Sequence, residues 1–379
     1  LGMFNMFSGG GIDRMAIFAL NIMPYISASI ILQLLTSVSP KLEALKKEGE
    51  AGRKIINQYT RYLTVVLAFF QSYGIAVGLQ GAGNVVTNPG MFFLISTAIT
   101  LTGGTMFLMW LGEQITSRGI GNGISLIIMA GIVAELPSAL ANMLELGRQG
   151  ALSTGIILIV LIMVVAVIAF IVFMERAQRR LLIQYPKRQV GNKMFEGQSS
   201  HLPLKLNTSG VIPPIFASSL LLLPTTVANF NAGSGPEWFQ WLNTQLGHGR
   251  PLFLFLYLAL IVFFTFFYTA IVFNPTETAD NLKKHGGFIP GIRPGERTAE
   301  YIDYVLSRIT VPGAIYLAVV CLIPEILISY AAVPFYFGGT SLLIVVSVTM
   351  DTVSQVQGYL LAHQYEGLIK KSKLRGRRR

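Results

Sequence analysis

The sequence predicts an all-α polytopic membrane protein that crosses the bilayer nine times within 379 residues. Three observations predict it. Hydrophobic residues make up 52% of the chain and charged residues only 12%, where a soluble chain carries about a quarter. The mean hydropathy is +0.58, and the apolar residues fall in long blocks rather than in periodic stripes. The Lys and Arg residues are confined almost entirely to alternate connecting segments, as happens when one side of a membrane receives the positive charge.

In order, the apolar blocks are 17–38, 59–79, 91–113, 123–141, 151–174, 208–229, 251–273, 309–330 and 338–357. Each is about 20 residues and so about 30 Å long as a helix, enough to cross the hydrocarbon. The first follows a glycine-rich opening, Ser8-Gly9-Gly10-Gly11, and carries Asn21, Pro24, Ser27, Ser29 and Gln33. A polar group in hydrocarbon costs free energy unless it finds a partner. The helix therefore reads either as one wall of a compartment that is sometimes wet, or as a bundle helix packed through small residues. Gly74 and Gly78, four apart in the second block, read as a close helix contact.

Orientation follows from the basic residues. With the first span running inward, the inner segments are 39–61, 114–122, 175–207, 274–308 and 358–379. They hold all but three of the 29 Lys and Arg, leaving Arg14, Arg148 and Arg250 outside. The C-terminus is therefore expected in the cytosol. The chain begins at Leu1 rather than Met and opens without a signal peptide, which leads us to expect further sequence before it.

Little in the spans can do chemistry. Glu113, Glu175 and Glu325 lie near predicted ends. Asp351 lies inside a span and reads as a bundle-facing residue near the cytosolic end. Coupled transporters place acids or bases near the midplane, so this shortage argues against a pump. Cys321 is the single cysteine and has no disulfide partner in the chain; His201, His248, His285 and His363 show no metal-ligand spacing. Gly119-Ile120-Gly121-Asn122-Gly123 follows a span rather than a strand and lacks a following Gly-Lys-Ser/Thr. It reads as a tight turn into the next helix. Asn207-Thr208-Ser209 matches a glycosylation acceptor on the wrong side of the membrane. No enzyme, cofactor or metal is expected.

The segment 175–207 interleaves apolar residues with turn formers and predicts a short hairpin or finger-like loop. The segment 274–308 gathers Lys283, Lys284, Arg293 and Arg297 around Gly and Pro turns, and the tail ends KKSKLRGRRR. Such charge sets topology or meets anionic lipid; it also suits RNA phosphates. Both loops are longer than connection requires.

Eight stretches together resemble one family: FNMFSGG, NIMPYISASIILQLL, KKEGEAGRK, GEQITSRGIGNGIS, SHLPLKLN, GVIPPIFASS, FNPTETADNLKKHGGFIPGIRPG and VPFYFGGTSLLI. The chain is similar throughout to bacterial SecY, the family of channel subunits of the Sec protein translocase. The family has ten spans, of which this chain matches the second to the tenth. The resemblance implies two inverted-repeat halves in a clamshell around a central pore, which conducts unfolded secretory proteins and releases membrane segments sideways into lipid. It divides the chain into a plug segment 1–16, an N-terminal half 17–141, a hinge loop 142–150, a C-terminal half 151–357 and a basic cytosolic tail 358–379.

The resemblance also implies roles for particular residues. Phe4, Asn5, Phe7, Gly9, Gly10 and Gly11 belong to the plug. Ile22, Ile26, Ile128, Ile215 and Ile344 match a ring of aliphatic side chains at the constriction, with Ile127 and Ile132 close to Ile128. Ile22 and Ile26, four apart, are expected on one helix face. Ser27 and Gln33 on the first span, and Asn207, Ser218 and Leu223 on the sixth, belong to a lateral gate whose polar groups face across the seam. Leu223 departs from the family's Phe, and Thr276 from a relative's Arg. Arg179, Arg180, Lys187, Arg188, Lys283, Lys284 and Arg293 belong to the face that meets the ribosome or the ATPase SecA. The implied partners are SecE, SecG, SecA, the translating ribosome, signal peptides and nascent chains, together with anionic lipids. A secondary transporter and an insertase or scaffold without a pore stand as the rival classes.

Overall fold

The computed structural model describes residues 16–81, 86–151, 153–230, 235–246, 250–331 and 339–376. The first helices are α1 (Met23–Val38), α2 (Pro40–Lys47), α3 (Glu50–Gly81), α4 (Met91–Arg118), α5 (Gly123–Arg148) and α6 (Thr154–Arg176). Four strands follow, β1 (Gln178–Gln184), β2 (Arg188–Val190), β3 (Lys193–Phe195) and β4 (Ser199–Lys205). Then come α7 (Ile212–Phe230), α8 (Glu237–Gln245), α9 (Pro251–Val272), α10 (Pro275–Lys284), α11 (Glu296–Ala331) and α12 (Gly339–Gly376). Each of the nine apolar blocks is a helix. Among the described residues six helices are long and apolar enough to cross a membrane, with α1 and the first part of α7 shorter apolar helices.

The boundaries depart from the apolar blocks for identifiable reasons. The first helix starts at Met23, not at 17: Asn21 takes a left-handed φ of 50° and Pro24 sits in the first turn. A proline lacks the N–H that a longer helix would need there. α5 continues through the helix formers up to Arg148, so the connection to α6 is shorter than the expected 142–150. The segment 274–308 is not an open loop, because α10 and the first turns of α11 fill it. The tail from 358 carries on as helix to Gly376, part of the 38-residue α12.

The expected hairpin is present. β1 pairs antiparallel with β4 from Gln178↔Lys205 to Gln184↔Ser199, and β2 with β3 extends the finger. The α10–α11 turn docks on it: Gln184 N–H donates to Phe288 O at 2.9 Å, and Phe288 N–H donates back to Gln184 O at 3.0 Å. Beneath this bridge lies a small core of Leu181, Leu204, Ile289, Ile302, Val305 and Leu306. Gly286 turns there with a φ of +75°, and a side chain at Gly287 would press on Tyr185 and Ile183. The basic face is thus a packed unit rather than two free loops.

Helices from residues 17–141 meet helices from residues 151–357 in two places. On one side α7 packs against α1 and α3. On the other side α5 packs against α6 and α12. Close approach depends on glycine, though not on the expected pair: Gly78 is exposed with open space around it. Instead Gly104 meets the backbone of Ile17, Gly123 that of Gly112, and Gly313 that of Leu206.

The Gly313 contact adjoins a buried polar junction. The Glu175 carboxyl at the end of α6 accepts from Asn207 Nδ2 at 2.7 Å and from the Tyr316 hydroxyl of α11 at 3.2 Å. Asn207 Oδ1 accepts from Ser209, and the Tyr316 ring stands edge-on to Phe170 at 5.6 Å. Three segments are therefore tied where β4 turns into α7. Gly313→Ala should lower the stability of the detergent-solubilised protein by about 1–3 kcal/mol, because its methyl overlaps the Leu206 carbonyl. Tyr316→Phe should cost about 1–2 kcal/mol through the lost bond to Glu175. Gly358→Ala, in open space on α12, should be neutral or stabilising by up to about 1 kcal/mol. Thermal unfolding followed by size-exclusion chromatography checks all three.

Candidate functional site

All five expected ring residues lie in one buried apolar cluster. Ile22 (0% exposed), Ile26 (5%), Ile128 (2%), Ile215 (6%) and Ile344 (0%) come together from α1 and its capping turn, α5, α7 and α12. Both halves contribute. Ile22 caps α1 rather than lying within it; its carbonyl accepts from Ile26 N–H at 3.2 Å, which keeps the two side chains one turn apart. Ile132 belongs to the same cluster, whereas Ile127 is only partly buried against it. Branched side chains with few rotamers fill this space densely.

The cluster is walled on one side by aromatic rings. Phe216 of α7 stands edge-on to Phe264 at 5.7 Å, and Phe253 stacks on Tyr257 at 5.9 Å. The buried Tyr257 hydroxyl lies 2.9 Å from Thr340 Oγ1 and receives Ser218 Oγ at 3.5 Å. These contacts join α7, α9 and α12 within the C-terminal half.

The polar residues expected to face each other across the α1–α7 seam behave differently. Asn207 bonds to Glu175, and Ser218 to Tyr257 and to the Pro214 carbonyl at 2.9 Å, all inside their own half. Ser219 returns its hydroxyl to the Ile215 carbonyl, as helical serines do when no better acceptor is in reach. Ser27 is buried at 2%. Gln33 lines a groove of about 660 Å³ with Thr36, Lys46, Arg53, Asn274 and Glu277, between α1, α2, α3 and the α9–α10 junction. Its buried Oε1 has no hydrogen-bond partner among the described residues. Among the described residues the side-chain bonds of Asn207, Ser218 and Ser219 thus run to residues 175–257 rather than to α1. The Leu223 side chain and the plug residues Phe4, Asn5, Phe7, Gly9, Gly10 and Gly11 lie outside the described residues.

The opposite side of the clamshell is hydrogen-bonded. Gly121 N–H donates to Gln355 Oε1 of α12 at 2.9 Å, and Thr349 Oγ1 reaches Met129 Sδ at 3.6 Å. The Gly119–Gly123 stretch is the tight turn read from sequence. Gly121 has a φ of +85°, Asn122 caps α5 by accepting from Ile124 N–H, and Thr116 Oγ1 accepts from Gly123 N–H at 2.9 Å. Asp351 is exposed rather than bundle-facing. Glu135, half-buried in the middle of α5, is an acid that the sequence reading passed over.

The seven basic residues expected to form a contact face, Arg179, Arg180, Lys187, Arg188, Lys283, Lys284 and Arg293, are all exposed on the docked unit of the hairpin and the α10–α11 turn. Gly291 (φ 81°) and Gly295 (φ 107°) bracket Arg293 with left-handed backbone. Thr298 Oγ1 fastens the Arg293 carbonyl at 2.9 Å. The guanidinium is thus displayed on a fixed turn. Among the described residues no cluster of His, Cys, Asp and Glu suits a metal.

The same arrangement of helices is found in solved structures. One described as a protein-conducting channel superposes with a TM-score of 0.68 at 18% identity, covering 94% of this chain and 84% of that one. Sec61 in a canine ribosome-channel complex from the endoplasmic reticulum gives 0.62 at 17% identity, covering 90% and 81%. In sequence the chain is 59% identical to the protein translocase subunit SecY of Rickettsia bellii, over 99% of this chain and 87% of that protein. The SecY family model matches residues 16–353, from the turn before α1 into α12. Fold, sequence and the convergence of helices from both halves agree, and the chain belongs to the SecY family.

Proposed function

We propose that this chain is the central subunit of a protein-conducting channel of the bacterial cytoplasmic membrane, with its basic face and C-terminus in the cytosol. The observation that carries this reading is the convergence of five isoleucines from both halves into one buried apolar cluster. A narrow apolar ring holds water poorly, so ions do not pass while it is closed, yet its side chains can part around an extended polypeptide. Opening the α1–α7 seam exposes mostly apolar surface, which lipid or an entering hydrophobic segment covers like for like. A sufficiently apolar segment of the cargo then leaves sideways by its own partition free energy.

The channel hydrolyses nothing. The driving force comes from the translating ribosome or the ATPase SecA, with SecE and SecG as membrane partners. The exposed basic hairpin and the Arg293 turn are the surface that meets ribosome or SecA, through phosphate or carboxylate groups that the planar Arg fork binds in pairs. The structural neighbour Sec61, itself in a ribosome-channel complex, supports the ribosome as a partner. Residues 3–15 act as the plug, as their resemblance to the family's plug segment implies.

Substituting Asn for Ile26, Ile128 or Ile215 should hydrate the ring. An unpartnered amide disfavours the dry closed state by about 1–3 kcal/mol, which corresponds to roughly fivefold to 150-fold in the open-to-closed ratio. Planar-bilayer conductance of the reconstituted complex measures this, with Ile159→Asn and Ile162→Asn as controls, since both face outward at 66% and 68% exposure. Equal leak at ring and control sites would refute the ring. Deleting residues 3–15 should leave a folded complex with raised resting conductance; an unchanged current would favour an insertase or scaffold without a pore.

Arg293→Glu should impair transport of a secretory precursor into vesicles while the channel's protease-protection map stays normal, because the remaining basic residues still set topology. Arg293→Lys should recover only part of the activity. Full transport by Arg293→Glu would rule out the contact, and an inverted map would assign the residue to orientation alone.

A further inference from the structure

The short helix α8 joins two membrane-crossing helices and packs against both α7 and α9. The hairpin leads into α7 and α8 follows it, so α8 lies at the end of the bundle opposite the basic face. Its sequence is EWFQWLNTQ. Helical spacing brings Trp238, Trp241 and Leu242 to one side, and they are exposed at 66%, 60% and 38%. Glu237, Gln240 and Thr244 occupy the other side. Phe239 turns the remaining apolar edge inward, its ring close to Gly235 and edge-on to Trp238 at 6.0 Å.

Two open indoles on a helix of nine residues, about 13 Å long, need a medium that is apolar on one side and wet on the other. The surface next to α8 supplies it. α9 begins at Pro251, packs against α8 and presents Phe255 at 66% and Phe263 at 54% exposure, so exposed apolar side chains follow α8 along the next membrane-crossing helix. α8 carries one acid, Glu237, and neither Lys nor Arg, which matches neither an anionic surface nor a nucleic acid.

We propose that α8 is an interfacial anchor. Trp238, Trp241 and Leu242 seat in the boundary between headgroups and acyl chains of the leaflet at this end, where tryptophans concentrate in membrane proteins. The anchor fixes the ends of α7 and α9 at a set depth, and with them one side of the α1–α7 seam. In the orientation proposed above this is the outer leaflet; the anchoring itself does not depend on that orientation.

The test uses the full translocase complex in phosphatidylcholine vesicles whose acyl chains carry bromine near the carbonyl end or near the methyl end. Emission of a Trp110→Phe complex is compared with that of Trp110→Phe/Trp238→Phe/Trp241→Phe. The difference isolates the two α8 indoles whatever other tryptophans the complex contains. The anchor predicts that bromine near the carbonyl end quenches this difference about twofold more than bromine near the methyl end, the signature of shallow interfacial seating. It also predicts that aqueous iodide quenches it weakly. Quenching by iodide alone would overturn the proposal and leave α8 standing in water. Resistance to both quenchers would also overturn it and identify a protein cover.

Discussion

Hydrocarbon supplies no hydrogen bonds, and nearly every feature of this chain follows from that constraint. Backbone groups are satisfied inside helices. Hydroxyls on those helices return to the carbonyl four residues back, as at Thr64, Ser72, Thr265, Thr269 and Thr310. Among the described residues strands appear only in the hairpin outside the spans. Other buried polar groups pair with one another, Tyr257 with Thr340 and Glu175 with Asn207 and Tyr316, while buried oxygens of Gln33, Gln71, Thr105 and Ser347 have no partner among the described residues.

The two sides of the clamshell spend these bonds differently. The α5–α12 side carries directional contacts, Gly121 to Gln355 among them, and the α5–α6 connection is short. On the α1–α7 side, the bonds of Asn207, Ser218 and Ser219 all point back into the C-terminal half. Directional bonds resist displacement more than apolar contacts between helices that lipid can replace. In the channel proposed above, the first edge is the pivot and the second the edge that parts. The isoleucine cluster draws on helices of both edges, α1 and α7 from one and α5 and α12 from the other.

Much of this was legible in the sequence. The nine apolar blocks, the tight glycine turn before α5, the hairpin and the isoleucine positions each followed from local composition or from family motifs that span the whole chain. What escaped reading were contacts between residues distant in sequence. Nothing near Asn207 announces that Glu175 will bind it. Gln33 has the right chemistry for a seam, but its place on the helix turns it toward α3 and the α9–α10 junction. The late start of α1 was written in Pro24, yet apolarity alone continued the block through 17–22. Apolar runs do not say where a helix stops once it leaves the membrane, so the extensions of α3, α11 and α12 were invisible.

The unbroken run of α12 has a mechanical meaning. Ile344, in the isoleucine cluster, and the exposed Ser372 lie on one 38-residue helix, about 42 Å apart along its axis. A straight helix without a proline or an internal kink resists bending over such a span. A push at its exposed tip therefore acts as on a lever arm, with α5 and α6 as the bearing. One helix thus runs from the isoleucine cluster to an exposed segment beyond the bundle, so a load on that segment reaches the cluster without crossing a loop.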